Sequence, residues 1–259
     1  MTTELNELLE FAVEIARGAG EITLQYFRKQ PETGRKSDGS FVTIADREAE
    51  SYLRRRIGER FPEDGILGEE EGESRGKSGR RWILDPIDGT FAFVHGVPLY
   101  GVLIAVEIEG EMSVGVVNMP ALGEIVSAAK GLGCFFNGEP ARVSVTAQLK
   151  DALLLSTSFV GATEMLEARA RVSRTWGDCY GYVLVATGRA DVMLDPVMNL
   201  WDCAPLLPIL EEAGGTFTDW RGVRTADGGN AIATNGVLFE EVMNVVNEDW
   251  PQKGTKSSK

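Results

Sequence analysis

The segment Trp82-Ile83-Leu84-Asp85-Pro86-Ile87-Asp88-Gly89-Thr90 sends a short apolar run into two carboxylates, a proline and a glycine. Trp82, Ile83 and Leu84 read as a buried strand. Pro86 lacks the N–H that a central ladder or a helix interior needs, and it disfavours the helical region at Asp85. The pattern therefore predicts a strand over 81–84 and a turn where the acids lie. Gly89 tolerates backbone conformations that other residues resist, so the amides of Gly89 and Thr90 can approach an anion closely, above all where a helix begins. Two carboxylates beside bare N–H groups suit a divalent cation bridging to a phosphate. An acidic surface turn would use the same Asp-Pro and Asp-Gly dipeptides, so the choice rests on what the rest of the chain supplies.

It supplies two further acidic segments. Gly68-Glu69-Glu70-Glu71 follows the apolar pair Ile66-Leu67 just upstream, and Asn199-Leu200-Trp201-Asp202-Cys203 lies far downstream. A run of glutamates by itself reads equally as a solvated face. Asp202 sits among Leu200, Trp201, Cys203 and Ala204, apolar company in which an unpaired carboxylate is costly. It could instead open the helix that runs to Ala213, and capping is compatible with metal binding.

The 259-residue chain can bury a large core. Its 43% hydrophobic and 25% charged residues, with 30 glycines, describe a globular α/β protein rich in turns. A formal charge of −13 excludes nonspecific nucleic-acid binding as an expected function, because phosphate backbones are held by basic surfaces. There is no run of about 18 apolar residues, and Glu4, Glu7 and Glu10 stand where a signal peptide would be basic, so no membrane partner and a cytoplasmic location are expected. Cys134, Cys179 and Cys203 are odd in number and widely spaced, which predicts free, mostly buried thiols. The single histidine, His95, reads as a surface or satisfied loop residue and leaves no histidine-based zinc site. Any catalyst here works mainly through oxygen ligands.

Apolar spacing predicts an amphipathic helix over 4–28 with Thr3 as a cap, a polar loop over 34–40, a helix over 46–60 ended by Phe61-Pro62, and a flexible connection over 72–80. Strands follow at 81–84, 100–108, 112–118 and 124–129, then a turn at Asn137-Gly138, together an antiparallel sheet. The second half alternates strands near 152–157, 190–194 and 215–219 with helices near 163–173, 178–188, 202–213 and 236–248. A single domain over 1–259 is expected, with an α+β half (1–145) carrying the acidic turn, a mixed α/β half (146–250) and a frayed tail (253–259).

An Asp, then Glu-Glu, then Asp-Pro-Ile-Asp-Gly-Thr, then Trp-Asp, in that order between Lys36 and Gly215, resembles the inositol-monophosphatase superfamily of metal-dependent, lithium-sensitive phosphatases. The resemblance implies a layered αβαβα sandwich of the inositol monophosphatase / fructose-1,6-bisphosphatase type, a homodimer, and two to three Mg²⁺ ions per active site. It places a first ion on Glu69, Asp85 and the carbonyl of Ile87, a second on Asp85, Asp88 and Asp202, and a weaker third on Glu69 and water. Gly89 and Thr90 would meet the phosphate. Asp46 would hydrogen-bond Thr90, whose hydroxyl helps orient the attacking water, so Glu69, Asp46 and Thr90 form the implied catalytic set. Hard oxygen donors select Mg²⁺, and several ions offset phosphoryl charge during in-line displacement.

Gly96-Val97-Pro98, Gly177-Asp178-Cys179-Tyr180-Gly181-Tyr182 and Asp195-Pro196 look closer to the histidinol-phosphate phosphatase branch. Asp178 and Asp195, as substrate contacts, would favour a small phosphate ester whose other end is cationic, such as histidinol phosphate in histidine biosynthesis. Asp178 could equally cap the helix that begins there. Phe91 and His95 depart from that branch, which commonly carries Lys and Arg at those places. The alternatives are an inositol-1-monophosphatase, another small sugar or nucleotide phosphate phosphatase, and a non-catalytic Mg²⁺-binding protein of the same fold. An acidic pocket argues against a bisphosphate nucleotide, and the intact acid set against a non-catalytic role.

Overall fold

A computed structural model describes residues 2–29, 33–35, 41–159 and 161–249. The described elements are α1 (Thr2–Tyr26), β1 (Thr33–Arg35), β2 (Phe41–Thr43), α2 (Ile44–Arg60), β3 (Gly65–Gly68), β4 (Gly72–Ser74), β5 (Arg80–Asp88), α3 (Thr90–Val94), β6 (Gly101–Ile108), β7 (Glu111–Met119), β8 (Glu124–Ala129), β9 (Gly133–Phe136) and β10 (Glu139–Ala141). They continue with β11 (Leu153–Ser156), α4 (Ala162–Glu167), β12 (Val172–Arg174), α5 (Asp178–Ala186), β13 (Val192–Asp195), α6 (Leu200–Glu212), β14 (Thr216–Thr218), β15 (Ala231–Thr234) and α7 (Phe239–Asp249).

Two large sheets organise the chain. The first has eight strands in the order β10-β9-β8-β7-β6-β5-β3-β4, antiparallel except for the β3–β5 pair. The second has five, in the order β12-β11-β13-β15-β14. Alternation along β5 assigns the layers: Trp82 and Leu84 face α1 and α2, packing with Leu8, Ile15, Leu53 and Ile57. Ile83 points the other way, into a core shared by α5, α6 and the inner face of the second sheet, with Tyr182, Leu206, Met193 and Phe217. The outer face of the second sheet, Leu154, Val192 and Ile232, is covered by α4 and α7 through Leu166, Val242 and Val246. Helices, sheet, helices, sheet and helices make the expected αβαβα sandwich. Because β5 is covered on both faces, it reads as a continuous apolar run.

Several expectations change in detail. Thr3 lies inside α1. The acids do not end the strand: β5 runs through Pro86 to Asp88, and the proline sits in a bulge, where a missing N–H is tolerated. The connection over 72–80 contains β4, which three residues of loop bring back onto β3. The helix expected to reach 173 stops at Glu167 and gives way to β12, a parallel neighbour of β11. Most of the loop over 34–40 and the tail over 253–259 lie outside the described residues. No described helix is long and apolar enough to cross a membrane.

Helix α6 carries Pro205 and Pro208 in its interior and lies directly on the first sheet, where a Cβ on Gly115 of β7 would collide with the backbone carbonyl of Pro205. Backbone against backbone has no flexible side chain to yield. Gly115→Ala should therefore cost about 1–3 kcal/mol. A thermal melt should fall by at least roughly 3 °C, and an unchanged melting temperature would contradict this packing.

Candidate active site

In a regular strand, residues three apart point to opposite faces. Asp85 pairs with Leu103 of β6 and Asp88 with Gly101, so three steps on β5 match two on its neighbour. The bulge at Pro86 and Ile87 thus brings both carboxylates to one side. Asp85 is 2% exposed, and one of its oxygens accepts the N–H of Ile87 at 3.0 Å. Asp88 accepts the N–H of Cys179, the second residue of α5, at 2.6 Å. Asp202 stands in the first turn of α6 and reaches back to accept the N–H of Asn199 at 2.7 Å. It therefore caps the helix from within the first turn, while Asn199 occupies the cap position itself.

One carboxylate oxygen from each of Asp85, Asp88 and Asp202 lies within 4.8 Å of the others. Glu69, on the loop between β3 and β4, lies near enough to Asp85 and Asp202 for its charge to raise both. Burial pushes the Asp85 carboxyl well above the usual range, and Glu69, Asp88 and Asp202 push it further. Asp88 is raised by burial and then by Asp178 and Asp202, against the Cys179 N–H. Asp202 is raised to about 6, mainly by burial, with Asn199 opposing. Buried carboxylates whose neighbouring charges are more carboxylates repel one another until a cation lies among them. The donors are hard oxygens, and Mg²⁺ fits that set.

Gly89 and Thr90, the expected phosphate contacts, form one turn. Gly89 has φ of 80°, a left-handed conformation that suits glycine, and α3 begins at Thr90. The expected bond from Asp46 to Thr90 is absent. Asp46 is fully buried, but one oxygen accepts the N–H and hydroxyl of Thr43 at 2.8 and 2.6 Å, completing the cap of α2. Its other oxygen has no partner, and burial raises the group to about 6. The Thr90 hydroxyl donates instead to the carbonyl of Ile87 at 2.9 Å. Local capping competes for short polar side chains, so the pairing that the resemblance implied is not made.

Asp178 has φ of 52°, and α5 is capped at Gly177 rather than by the Asp178 side chain. Its carboxylate lies near Gly89, where a Cβ would come within 3.2 Å of it. Asp195, at the end of β13, is 4% exposed and accepts the N–H of Thr157 at 3.1 Å. Burial raises it to about 7. Asp88, Asp178, Asp195 and Asp202 line one cleft of about 160 Å³ with Val197 and Met198. Sequence reading missed the backbone donors of Thr157 and Cys179, which leave no side-chain signature. It also missed Glu50, a buried glutamate on the α2 face of Leu53 and Ile57. A charge at a core-facing helical position was the available signal.

Phe91 is 66% exposed and lies 4.2 Å from the His95 ring, centroid to centroid, with Phe41 beyond it at 6.1 Å. The His95 Nδ1 contacts the Phe91 carbonyl at 2.8 Å, as expected for a satisfied loop histidine. Cys134, Cys179 and Cys203 are free and buried.

Residues 4–250 match the inositol monophosphatase family. The chain belongs to that family. It is accordingly a hydrolase acting on phosphate monoesters. It is 46% identical to a histidinol-phosphatase of Chlorobaculum parvum over 89% of this chain and 93% of that one. It is 40% identical to a histidinol-phosphatase of Mycobacterium tuberculosis over 92% and 97%. Among solved structures it resembles the Thermotoga maritima IMPase with a TM-score of 0.87 and 36% identity, covering 93% of this chain and 97% of that one.

The inositol monophosphatase family frame leaves Asp195 as a buried carboxyl with a raised pKa. Its stabilising contribution is present below the unfolded carboxylate range, near pH 4, and is lost as pH rises through about 7. Asp195→Asn keeps an oxygen for the Thr157 N–H and cannot ionise. Its melting temperature relative to wild type should therefore rise between pH 5 and pH 8, by roughly 3 °C or more. A difference independent of pH would contradict the burial argument.

Proposed function

We propose that this protein is a Mg²⁺-dependent phosphatase that hydrolyses histidinol phosphate to histidinol in histidine biosynthesis. The observation that carries the substrate choice is the placement of Asp178 and Asp195 in the same cleft as Asp88 and Asp202. The 46% and 40% identical histidinol-phosphatases support it. A phosphate ester with an ammonium at its far end matches a cleft with two carboxylates beyond those that hold the ions.

Glu69, Asp85, Asp88, Asp202 and the carbonyl of Ile87 would hold two to three Mg²⁺ ions. Ions bound there would make a water nucleophilic near neutral pH and offset charge on the phosphoryl group. The protein's part is positioning. The N–H groups of Gly89 and Thr90 meet phosphate oxygens at the start of α3, and the Thr90 hydroxyl, already directed at Ile87, helps orient the attacking water. Asp46, with one oxygen free, stands ready to accept from a water or hydroxyl of the loaded site. Asp178 and Asp195 face the amine. A single-domain chain, a homodimer, lithium sensitivity and a cytoplasmic location belong to the same reading.

Removing a carboxylate that would hold the ions should remove both metal binding and turnover. Asp85→Asn should lose the Mg²⁺-induced rise in melting temperature that a bound ion confers on the wild type. It should also retain less than roughly a tenth of the wild-type rate. A variant that keeps both would overturn the proposed ion site.

The substrate is tested by comparing histidinol phosphate, inositol 1-phosphate and adenosine 3′,5′-bisphosphate in saturating Mg²⁺. Histidinol phosphate should show the highest kcat/KM, and Asp195→Asn should lower that value about ten-fold or more, with a smaller loss for inositol 1-phosphate. Equal losses, or a wild-type preference for inositol 1-phosphate, would replace this reading with the inositol-type one.

A further inference from the structure

The loop between β3 and β4 consists of Glu69, Glu70 and Glu71, because Gly68 pairs with Gly72. Three consecutive acids on so short a loop repel one another, yet Glu69 stays close enough to Asp85 for its charge to raise that carboxyl. Two anchors hold the loop in that conformation. The N–H of Glu69 donates to the carbonyl of Leu84, at 3.1 Å, one residue before Asp85 on β5. The next two N–H groups go to a single side chain: Glu70 donates to one oxygen of Glu50 at 2.8 Å and Glu71 to the other at 3.0 Å.

Glu50 is fully buried on α2, where its charge is met by Arg54 one helical turn later. The Arg54 Nε donates to Glu50 at 2.8 Å and lies 3.5 Å from the Glu71 carboxylate. The same guanidinium donates to the Gly72 carbonyl at 2.5 Å and the Ser74 hydroxyl at 3.1 Å, so it grips the returning strand as well. A Cβ on Gly68 would collide with the Glu50 carboxylate, so the strand entering the loop is shaped around this group. A buried ion pair is a weak stabiliser, and well-packed apolar residues fill such a volume as well or better. What an apolar pair could not do is accept two successive N–H groups from a loop whose side chains repel.

We infer that Glu50, held by Arg54, is a positioning residue that fixes the Glu69 carboxylate beside Asp85 and so sets the affinity of the site for Mg²⁺. The inference rests on the ion site described under Proposed function. Glu50→Gln puts an amide NH₂ where one of the two N–H donors now points, which frees the loop without changing its volume. Arg54→Met tests the same clamp from its other side and carries the inference if Glu50→Gln does not fold.

Calorimetric titration with Mg²⁺ alone, on wild type, Glu50→Gln, Glu69→Gln and the double variant, reads the coupling directly. Glu50→Gln should weaken Mg²⁺ binding by about ten-fold or more, as loss of a group that orients a metal ligand does. The double variant should bind no more weakly than Glu69→Gln, because both changes remove the same interaction. In kinetics the Mg²⁺ concentration for half-activation should rise while the KM for the phosphate ester moves less than about two-fold. Unchanged Mg²⁺ binding in Glu50→Gln, or fully additive losses in the double variant, would overturn the positioning role while leaving the ion site intact. If Glu69→Gln itself leaves Mg²⁺ binding unchanged, the proposed ion site fails, and this inference fails with it.

Discussion

Carboxylates that repel one another in a buried place are the constraint on which the rest of the structure depends. Asp85, Asp88 and Asp202 meet where burial already disfavours charge; Asp88 and Asp202 push Asp85 further up, and Asp202 does the same to Asp88. Charge repulsion by itself would push the ionised acids apart. The fold therefore supplies fixed attachments, and each acid has at least one backbone N–H of its own: Ile87 for Asp85, Cys179 for Asp88 and Asn199 for Asp202. These bonds favour the ionised form and oppose the repulsion, so the acids stay aimed at one another and a divalent cation finds its donors already in place.

The attachments come from distant parts of the chain, which explains the layered architecture. The bulge on β5 belongs to the first sheet, and the first turns of α5 and α6 belong to the helix layer between the sheets. Helix α6 can present Asp202 at that point only because it lies close against β7, an approach that Gly115 permits. Ile83, one residue from Leu84 and two from Asp85, packs in the same cluster as Leu206 and Ile209 of α6. The core and the site therefore share one register, since a one-residue slip of β5 would turn Ile83 from this cluster to the α1–α2 side and carry the acids with it.

Much of this was legible in the sequence because it is written in side-chain chemistry. The acid order, the buried run into Asp85, the interior helices α5 and α6 and the hairpin turn at Asn137-Gly138 all carry strong local signals. What escaped was written in the backbone. Pro86 reads as the end of a strand, yet a bulge lets the ladder continue through it. Strands as short as β4 and β12 have too few residues to show a period, and their pairing decides them. The Asp46–Thr90 pairing failed because both side chains have nearer backbone partners, Thr43 and the Ile87 carbonyl. Glu50 was passed over because a glutamate in a helix usually faces solvent, and only the folded loop shows which N–H groups it serves.

The two sides of the cleft are built differently, and that difference bears on how one chemistry accommodates several substrates. Asp85 and Asp88 sit on a sheet strand and Asp202 in the first turn of α6, held by the N–H groups of Ile87, Cys179 and Asn199. On the other side Asp178 adopts a left-handed φ of 52°, a conformation uncommon for any residue with a side chain, and Val197 beside it is 82% exposed. Phe91 likewise presents an exposed ring directly after the turn that holds Gly89 and Thr90. Residues in such places can change without disturbing the sheet register or the helix caps, because few of their contacts are shared with the core. Gly177 occupies the cap position of α5 with no side-chain bond, and the Asp178 carboxylate lies close enough to Asp88 to raise it. The Asp85–Asp88–Asp202 side thus has to satisfy the fold, whereas exposed residues such as Val197 and Phe91 can vary without disturbing it.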